Sequence, residues 1–166
     1  TKTNIMSWTY KGNEMLDITQ FPDNTYGFVY INKHIPTGKS YIGKKILQFT
    51  KKVKLGKKEV AALGAIVGRK PSYKLSVKES DWKTYYGSQK DIKKLLVEGK
   101  KDEFERTILK CVKSKKQLTY FEIKYQMLYQ VLEKPEEFFN DNILGKFFTK
   151  DLEDVEYEDP LEIVKH

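Results

Sequence analysis

Residues 26–45, YGFVYINKHIPTGKSYIGKK, constrain the fold more than any other stretch of the chain. GFVYIN and KSYIG are rich in β-branched and aromatic residues, and KHIPTG between them carries the proline and glycine of a turn. Two strands joined by about six residues pair as antiparallel neighbours, so the segment predicts a hairpin. With the turn centred on Ile35–Pro36, residues whose numbers sum to 71 face each other, which sets Tyr30 opposite Tyr41. Their Cβ atoms would lie ~5 Å apart on one face. Two phenols so placed serve either as packing for a helix or as halves of one chemical site, and the pattern alone leaves both open.

The flanking sequence supplies further elements. Residues 6–18 predict an extra N-terminal hairpin turning at Lys11-Gly12-Asn13, and Pro22-Asp23-Asn24 then breaks the chain. Residues 44–80 lack sustained periodicity and hold Gly56, Gly64, Gly68 and Pro71, which reads as a long, partly structured insertion with one short apolar piece at 60–67. Ser88 with Asp91 resembles a helix cap, Ile92, Leu95 and Leu96 form one face, and Gly99 is placed to end that helix. FERTILKCV, residues 104–112, predicts a third strand. Ser114 and Gln117 open a second helix to about Glu133, with Leu118, Phe121, Tyr125, Leu128 and Leu132 as its stripe. Pro135 stops it, and EEFFNDNILGKFF follows as a short helix or loop. The expected fold is α/β of the α+β kind: a small central antiparallel three-stranded sheet flanked by helices.

Charge divides the chain. It carries 31 Lys+Arg against 23 Asp+Glu, a net +8. Between residues 44 and 78 lie Lys44, Lys45, Lys51, Lys52, Lys54, Lys57, Lys58, Arg69, Lys70, Lys74 and Lys78, with Glu59 the only acid. That density points to contact with a nucleic-acid backbone. After Lys150 the sign reverses into an acidic tail, residues 151–166, beyond a single expected domain of residues 1–150. No apolar run approaches the ~18 residues that span a membrane, and the N-terminal residues lack the apolar core of a secretory signal. Cys111 is the only cysteine, so no disulfide framework exists and a cytoplasmic location is expected.

Several chemistries are excluded. Thr37-Gly38-Lys39-Ser40 ends like a phosphate-binding P-loop, but Lys33 stands where that loop needs glycine and the stretch joins two strands. His34 and His166 are the only histidines, so neither a His/Cys zinc cluster nor a supported Ser-His-Asp triad is available.

In order along the chain, Gly27-Phe28-Val29-Tyr30 and Tyr41-Ile42-Gly43 resemble the GIY-YIG nuclease signature. FERTILKCV resembles that family's third strand, LTYFEIKYQ the helix bearing its metal-binding glutamate, and FFNDN its asparagine segment, so the likeness covers roughly residues 26–148. With YIGKK, the basic insertion, SDWKTYYGS and FFNDNILG, the chain looks most like phage-encoded GIY-YIG endonucleases of the homing type. The resemblance implies a DNA endonuclease that hydrolyses phosphodiester bonds with one divalent metal ion, Mg²⁺ or Mn²⁺. A catalytically weak or inactive nucleic-acid-binding protein on the same scaffold is the alternative.

By the resemblance, Tyr30 and Tyr41 belong to the water-activating network, Glu122 holds the metal, and Asn140, or else Asn142, is the site asparagine. Thr119 with Glu122 also matches a capping box, but Ser114 opens the helix earlier and leaves Glu122 inside it, on the edge of the buried face. The family's catalytic arginine has no counterpart after Tyr41-Ile42-Gly43. Arg69 is the expected substitute, returning from the insertion, with Lys44 or Lys45 in its place otherwise. Arg106 and His34 are expected to be structural or loop residues, and Trp82, Tyr85 and Tyr86 to be core rather than base-stacking. The DNA-binding set is then Lys44, Lys45, Lys51, Lys52, Lys54, Lys57, Lys58, Arg69 and Lys70. The expected partner is double-stranded DNA, with target choice coming from the insertion, a homodimer or a partner protein.

Overall fold

The Lys11-Gly12 dipeptide sets the first element. In the computed structural model, which describes residues 7–64 and 72–164, both residues take positive φ, 51° and 81°. That is the geometry of a two-residue hairpin turn, and it joins β1 (Trp8–Tyr10) to β2 (Asn13–Met15).

The central hairpin follows as β3 (Gly27–His34) and β4 (Ser40–Ile46). Its register differs from the expected one: Tyr30 faces Gly43, and Tyr41 faces Asn32. The cause is the loop, in which the Gly38 N–H donates to the His34 carbonyl at 2.8 Å and Gly38 adopts φ 74°. Four residues, 35–38, make the turn, which therefore centres one residue later than Ile35–Pro36. Because the slip is an even number of residues, Tyr30 and Tyr41 remain on one face as diagonal rather than direct neighbours.

Residues 44–80 are more ordered than their sequence suggests. β5 (Gln48–Lys54) and β6 (Tyr73–Glu79) pair over all seven residues into a separate two-stranded ribbon, with α1 (Lys57–Ala62) after β5. The described part of the 60–67 stretch, residues 60–64, buries nothing fully. The Ser80 N–H donates to the Leu47 carbonyl at 2.9 Å, closing the ribbon at its base.

α2 (Lys90–Val97) is capped by Gln89, not Ser88, its side-chain oxygen accepting from the Asp91 and Ile92 N–H groups. Gly99 ends that turn at φ 78°. β7 (Phe104–Val112) coincides with the expected third strand. Ser114 caps α3 (Lys115–Leu128), which stops short of Glu133 because Gln130 turns to φ 55°. Leu118 is buried and Phe121 and Tyr125 half-buried as expected, but Leu128 is 64% exposed and Leu132 packs from outside the helix. β8 (Asn142–Ile143) and β9 (Phe147–Phe148) form a small hairpin where a short helix or loop was expected, and α4 (Pro160–Val164) lies in the acidic tail.

The main sheet has five strands instead of three, in the order β2-β1-β7-β3-β4. β1 runs parallel to β7, so the N-terminal hairpin extends the sheet and makes it mixed rather than purely antiparallel. α3 and the chain after it cover one face through Leu118, Val131 and Leu132 on Val29, Ile42 and Val112. The opposite face packs Trp8, Phe28, Tyr30 and Ile108 beneath Phe21, Leu47 and Trp82. β4 is one of the two edge strands, and it lies between the two tyrosines and α3.

Candidate active site

Tyr30 is 1% exposed, with Trp8 edge-on at 5.1 Å, Tyr85 at 6.1 Å and Tyr41 at 6.2 Å between ring centroids. β7 bulges by one residue beside it, pairing Lys110 with Val29 but Ile108 with Tyr30. Two glycines give the phenols room. A Cβ built on Gly43 would lie 2.6 Å from Tyr30 Oη and 2.7 Å from Tyr41 Cε1. One built on Gly87, at φ 119°, would lie 3.3 Å from the same hydroxyl.

Burial holds the Tyr30 phenol well above its ordinary pKa, with further contributions from Tyr85, Tyr41 and Glu122. Tyr41 is pushed up to about 12, by burial first and then by Glu122. Both are therefore neutral phenols at physiological pH, able to donate a hydrogen bond.

Glu122 approaches from α3. Leu118, Glu122 and Gln126 fall at i, i+4 spacing and share one row facing β4. Leu118 is buried in the core, and the Gln126 amide donates to the Ile42 carbonyl at 3.0 Å. The Glu122 side chain is 15% exposed, with Lys44 Nζ 3.9 Å away. Burial raises its pKa above the ordinary carboxylate value, and Lys44 opposes the shift.

Adjacent lysines on β4 point to opposite faces. Lys44 lies on the α3 side, where its ammonium donates to Thr119 Oγ1 at 3.2 Å. Lys45 lies on the tyrosine side, paired with Asp81 and 4.1 Å from the centre of the Tyr85 ring. Each therefore attends one half of the site. Arg69 and Lys70 lie outside the described residues, while Lys51, Lys52, Lys54, Lys57 and Lys58 are exposed on β5 and α1.

Asn140 is 4% exposed and both ends of its amide are used on Ile42, accepting from the N–H at 3.0 Å and donating to the carbonyl at 2.9 Å. It stands in for the missing neighbour strand of β4 and fixes the backbone next to Tyr41. Asn142 instead binds Asp141 and the Gly145 N–H within a turn.

Other candidates are structural. Arg106 is 2% exposed and donates to the Lys83 and Tyr85 carbonyls at 3.1 and 2.7 Å, its guanidinium lying over Tyr86 and Trp8. Asn32 adds a bond to the Tyr86 carbonyl at 2.6 Å. Together they pin residues 83–86 over the sheet, with Trp82 and Tyr86 buried. His34 bonds Glu103 and Thr37 and braces the hairpin loop. Sequence reasoning missed Tyr85, Asp81, Gly87 and Gln126. Of these, Asp81 and Gly87 enter the sequence reading only within SDWKTYYGS and Tyr85 only as a core aromatic, and the third phenol there is the signal that could have flagged them.

The family model described as "Putative endonuclease segE, GIY-YIG domain" matches residues 8–143. The chain belongs to the GIY-YIG nuclease family. No curated protein and no solved structure matches it. Membership implies nuclease chemistry on DNA, and the match takes in the N-terminal hairpin, the ribbon and Asn140 as well as the paired motifs.

Among the described residues no group of three or more His, Cys, Asp or Glu gathers, and Glu122 is the carboxylate that would hold a cation here. A hard divalent ion suits that site. It accepts one carboxylate with water and phosphate oxygens for the rest, and it would offset a buried charge that Lys44 compensates only from 3.9 Å. No helix among the described residues is long and apolar enough to cross a membrane.

Proposed function

We propose that this GIY-YIG protein is a DNA endonuclease of the phage homing type, hydrolysing a phosphodiester with one Mg²⁺ or Mn²⁺ held by Glu122. Support comes chiefly from Glu122: a carboxylate 15% exposed, turned to the same strand edge as Tyr41, Lys44 and Lys45. Bound there, the ion would supply Lewis acidity toward the phosphate and lower the pKa of water.

The protein groups have separable tasks. Tyr41, half-buried, donates its hydroxyl proton in a hydrogen bond that orients the attacking water or a phosphate oxygen. Tyr30 behind it holds the position of Tyr41 and keeps bulk water out. As neutral phenols neither takes the water proton, which leaves to solvent or to a phosphate oxygen. Lys44 and Lys45 flank the phosphate from the two faces of β4 and offset the charge that builds up in the transition state. Exposed lysines of β5 and α1 hold the phosphodiester backbone, so binding weakens steeply with salt.

Incubating supercoiled plasmid with Mg²⁺ or Mn²⁺ and comparing the protein with Glu122→Ala tests the assignment. Nicking that depends on metal and on Glu122 is expected. Metal-dependent nicking that survives the substitution refutes it. The 1% exposure of Tyr30 supports one other reading, a binding protein with little activity, and binding without cleavage in any metal would establish that instead.

A further inference from the structure

Beyond its basal pair Gln48↔Glu79, the β5–β6 ribbon has one side that stands open among the described residues. Residues of a strand alternate in face, and the pairings Thr50↔Val77, Lys52↔Leu75 and Lys54↔Tyr73 put six side chains on that side. All six are exposed, with Tyr73 at 58%, Leu75 at 71% and Val77 at 66%. The other side is partly covered: Val53 and Ser76 are half-buried there, and Lys74 pairs with Glu59 of α1 at 2.9 Å. Among the described residues nothing buries these three apolar side chains, and no ion pair engages Lys52 or Lys54.

We propose that this face, Thr50, Lys52, Lys54, Tyr73, Leu75 and Val77, enters the major groove of duplex DNA and sets the sequence preference of the enzyme. The inference rests on the nuclease reading only for the identity of the substrate. Dimensions fit. The major groove admits a two-stranded β-ribbon, and seven paired residues extend ~24 Å. Same-face pairs recur every ~6.8 Å, about two base-pair steps, so three pairs address a run of about four to five. Chemistry fits as well: lysines meet phosphate or guanine, Thr50 reads either partner of a pair, and Leu75 and Val77 meet thymine methyl groups. Charge disfavours a second copy, since the ribbon strands carry Lys51, Lys52, Lys54, Lys74 and Lys78 against Glu79 alone, at the base, and membership of a nuclease family makes DNA, not an acidic protein, the polyanion.

The test is binding in EDTA, which is independent of cleavage. The full chain is equilibrated with a pool of duplexes randomised at the centre, and the bound fraction is sequenced. Wild type should enrich a short run of adjacent base pairs. Leu75→Ser/Val77→Ser should flatten that enrichment while changing affinity for arbitrary duplex less than about threefold. Lys52→Gln/Lys54→Gln should keep the enrichment at other positions and lower the salt slope by about 1.8. Replacing the enriched thymines with deoxyuridine should weaken wild type by about fivefold or more and leave the Leu75/Val77 variant unmoved. No enrichment by wild type, or enrichment untouched by Leu75→Ser/Val77→Ser, overturns the proposal. So does a changed oligomeric state in that variant with its DNA selection intact, which would assign the face to a second copy. Loss of nicking with selection preserved would count against the active-site reading and leave the ribbon proposal standing.

Discussion

Replacing Gly43 with alanine tests whether clearance for two phenols is what the glycine supplies. Gly43 does not need the left-handed region, so the effect of the added methyl is steric. Its Cβ would stand 2.6 Å from Tyr30 Oη, 2.9 Å from Tyr30 Cζ and 2.7 Å from Tyr41 Cε1. Tyr30 cannot retreat, being 1% exposed and walled by Trp8, Tyr85 and Gly87. The half-buried Tyr41 must therefore swing away. Overpacking of this kind costs about 1–3 kcal/mol, and exchanging a strand glycine for alanine returns about 0.5–1 kcal/mol. Three contacts under 3.0 Å put the cost in the upper half of that range, so a net loss of about 1–2.5 kcal/mol lowers Tm by about 2–10 °C for a chain of this size. Thermal unfolding measures that loss, and plasmid nicking should fall further than stability does, since the phenol pair is what separates. Adding Tyr30→Phe removes the nearest contact and should recover part of the Tm. Gly38→Ala is the contrast: its Cβ meets nothing, but φ 74° strains an L-residue by about 1–2 kcal/mol, with nicking unchanged. A Gly43→Ala protein that melts and nicks like wild type refutes the clearance argument.

Glu122→Gln should raise Tm at neutral pH in the absence of metal. Burial lifts the folded pKa of Glu122 above its unfolded value, so this group's contribution is fully present below that unfolded value and lost as pH rises through the folded one. The difference between variant and wild type should thus shrink as the medium is acidified. Added Mg²⁺ should stabilise wild type and not Glu122→Gln, a readout separate from activity. Asn140→Ala strands the buried Ile42 N–H, while Gln126 still serves the carbonyl, and should cost about 1–3 kcal/mol in urea unfolding. Tyr41→Phe should flatten the fall in stability between pH 10 and about 12, the window in which wild type loses the Tyr41 proton more readily unfolded than folded. Deleting residues 151–166 should leave DNA affinity unchanged, because residues 151–159 form no ion pair with a ribbon lysine among the described residues.

Elements governed by local chemistry were legible in the sequence. Lys11-Gly12, the Ser114 cap, Gly99 and the strand 104–112 all stand where their residue types require. The β3–β4 register was not, since it depends on a four-residue loop whose length Pro36 and Gly38 do not fix. Nor was the end of α3, where Gln130 takes positive φ without being glycine. The ribbon escaped notice for a different reason: neither of its sides is buried, and the alternation of Tyr73, Leu75 and Val77 in β6 has no counterpart in the QFTKKVK of β5 to mark a pair. In the site, the order of Tyr30, Tyr41, Glu122 and Asn140 was readable through family resemblance. The division of labour between Lys44 and Lys45 needed the pleat of β4, and the occupation of both Asn140 amide groups needed the edge it closes.

The base of the ribbon has a consequence for how such proteins diverge. Gln48 and Glu79 face each other, and Leu47 and Ser80 are joined by a hydrogen bond just beneath them. The chain thus leaves β4 and comes back to it within one strand spacing. An arm attached this way can be shortened, lengthened or exchanged for another without shifting β4 by a residue. Cutting chemistry and target choice can then evolve at different rates within one short polypeptide, and a transplanted arm should carry its preference with it.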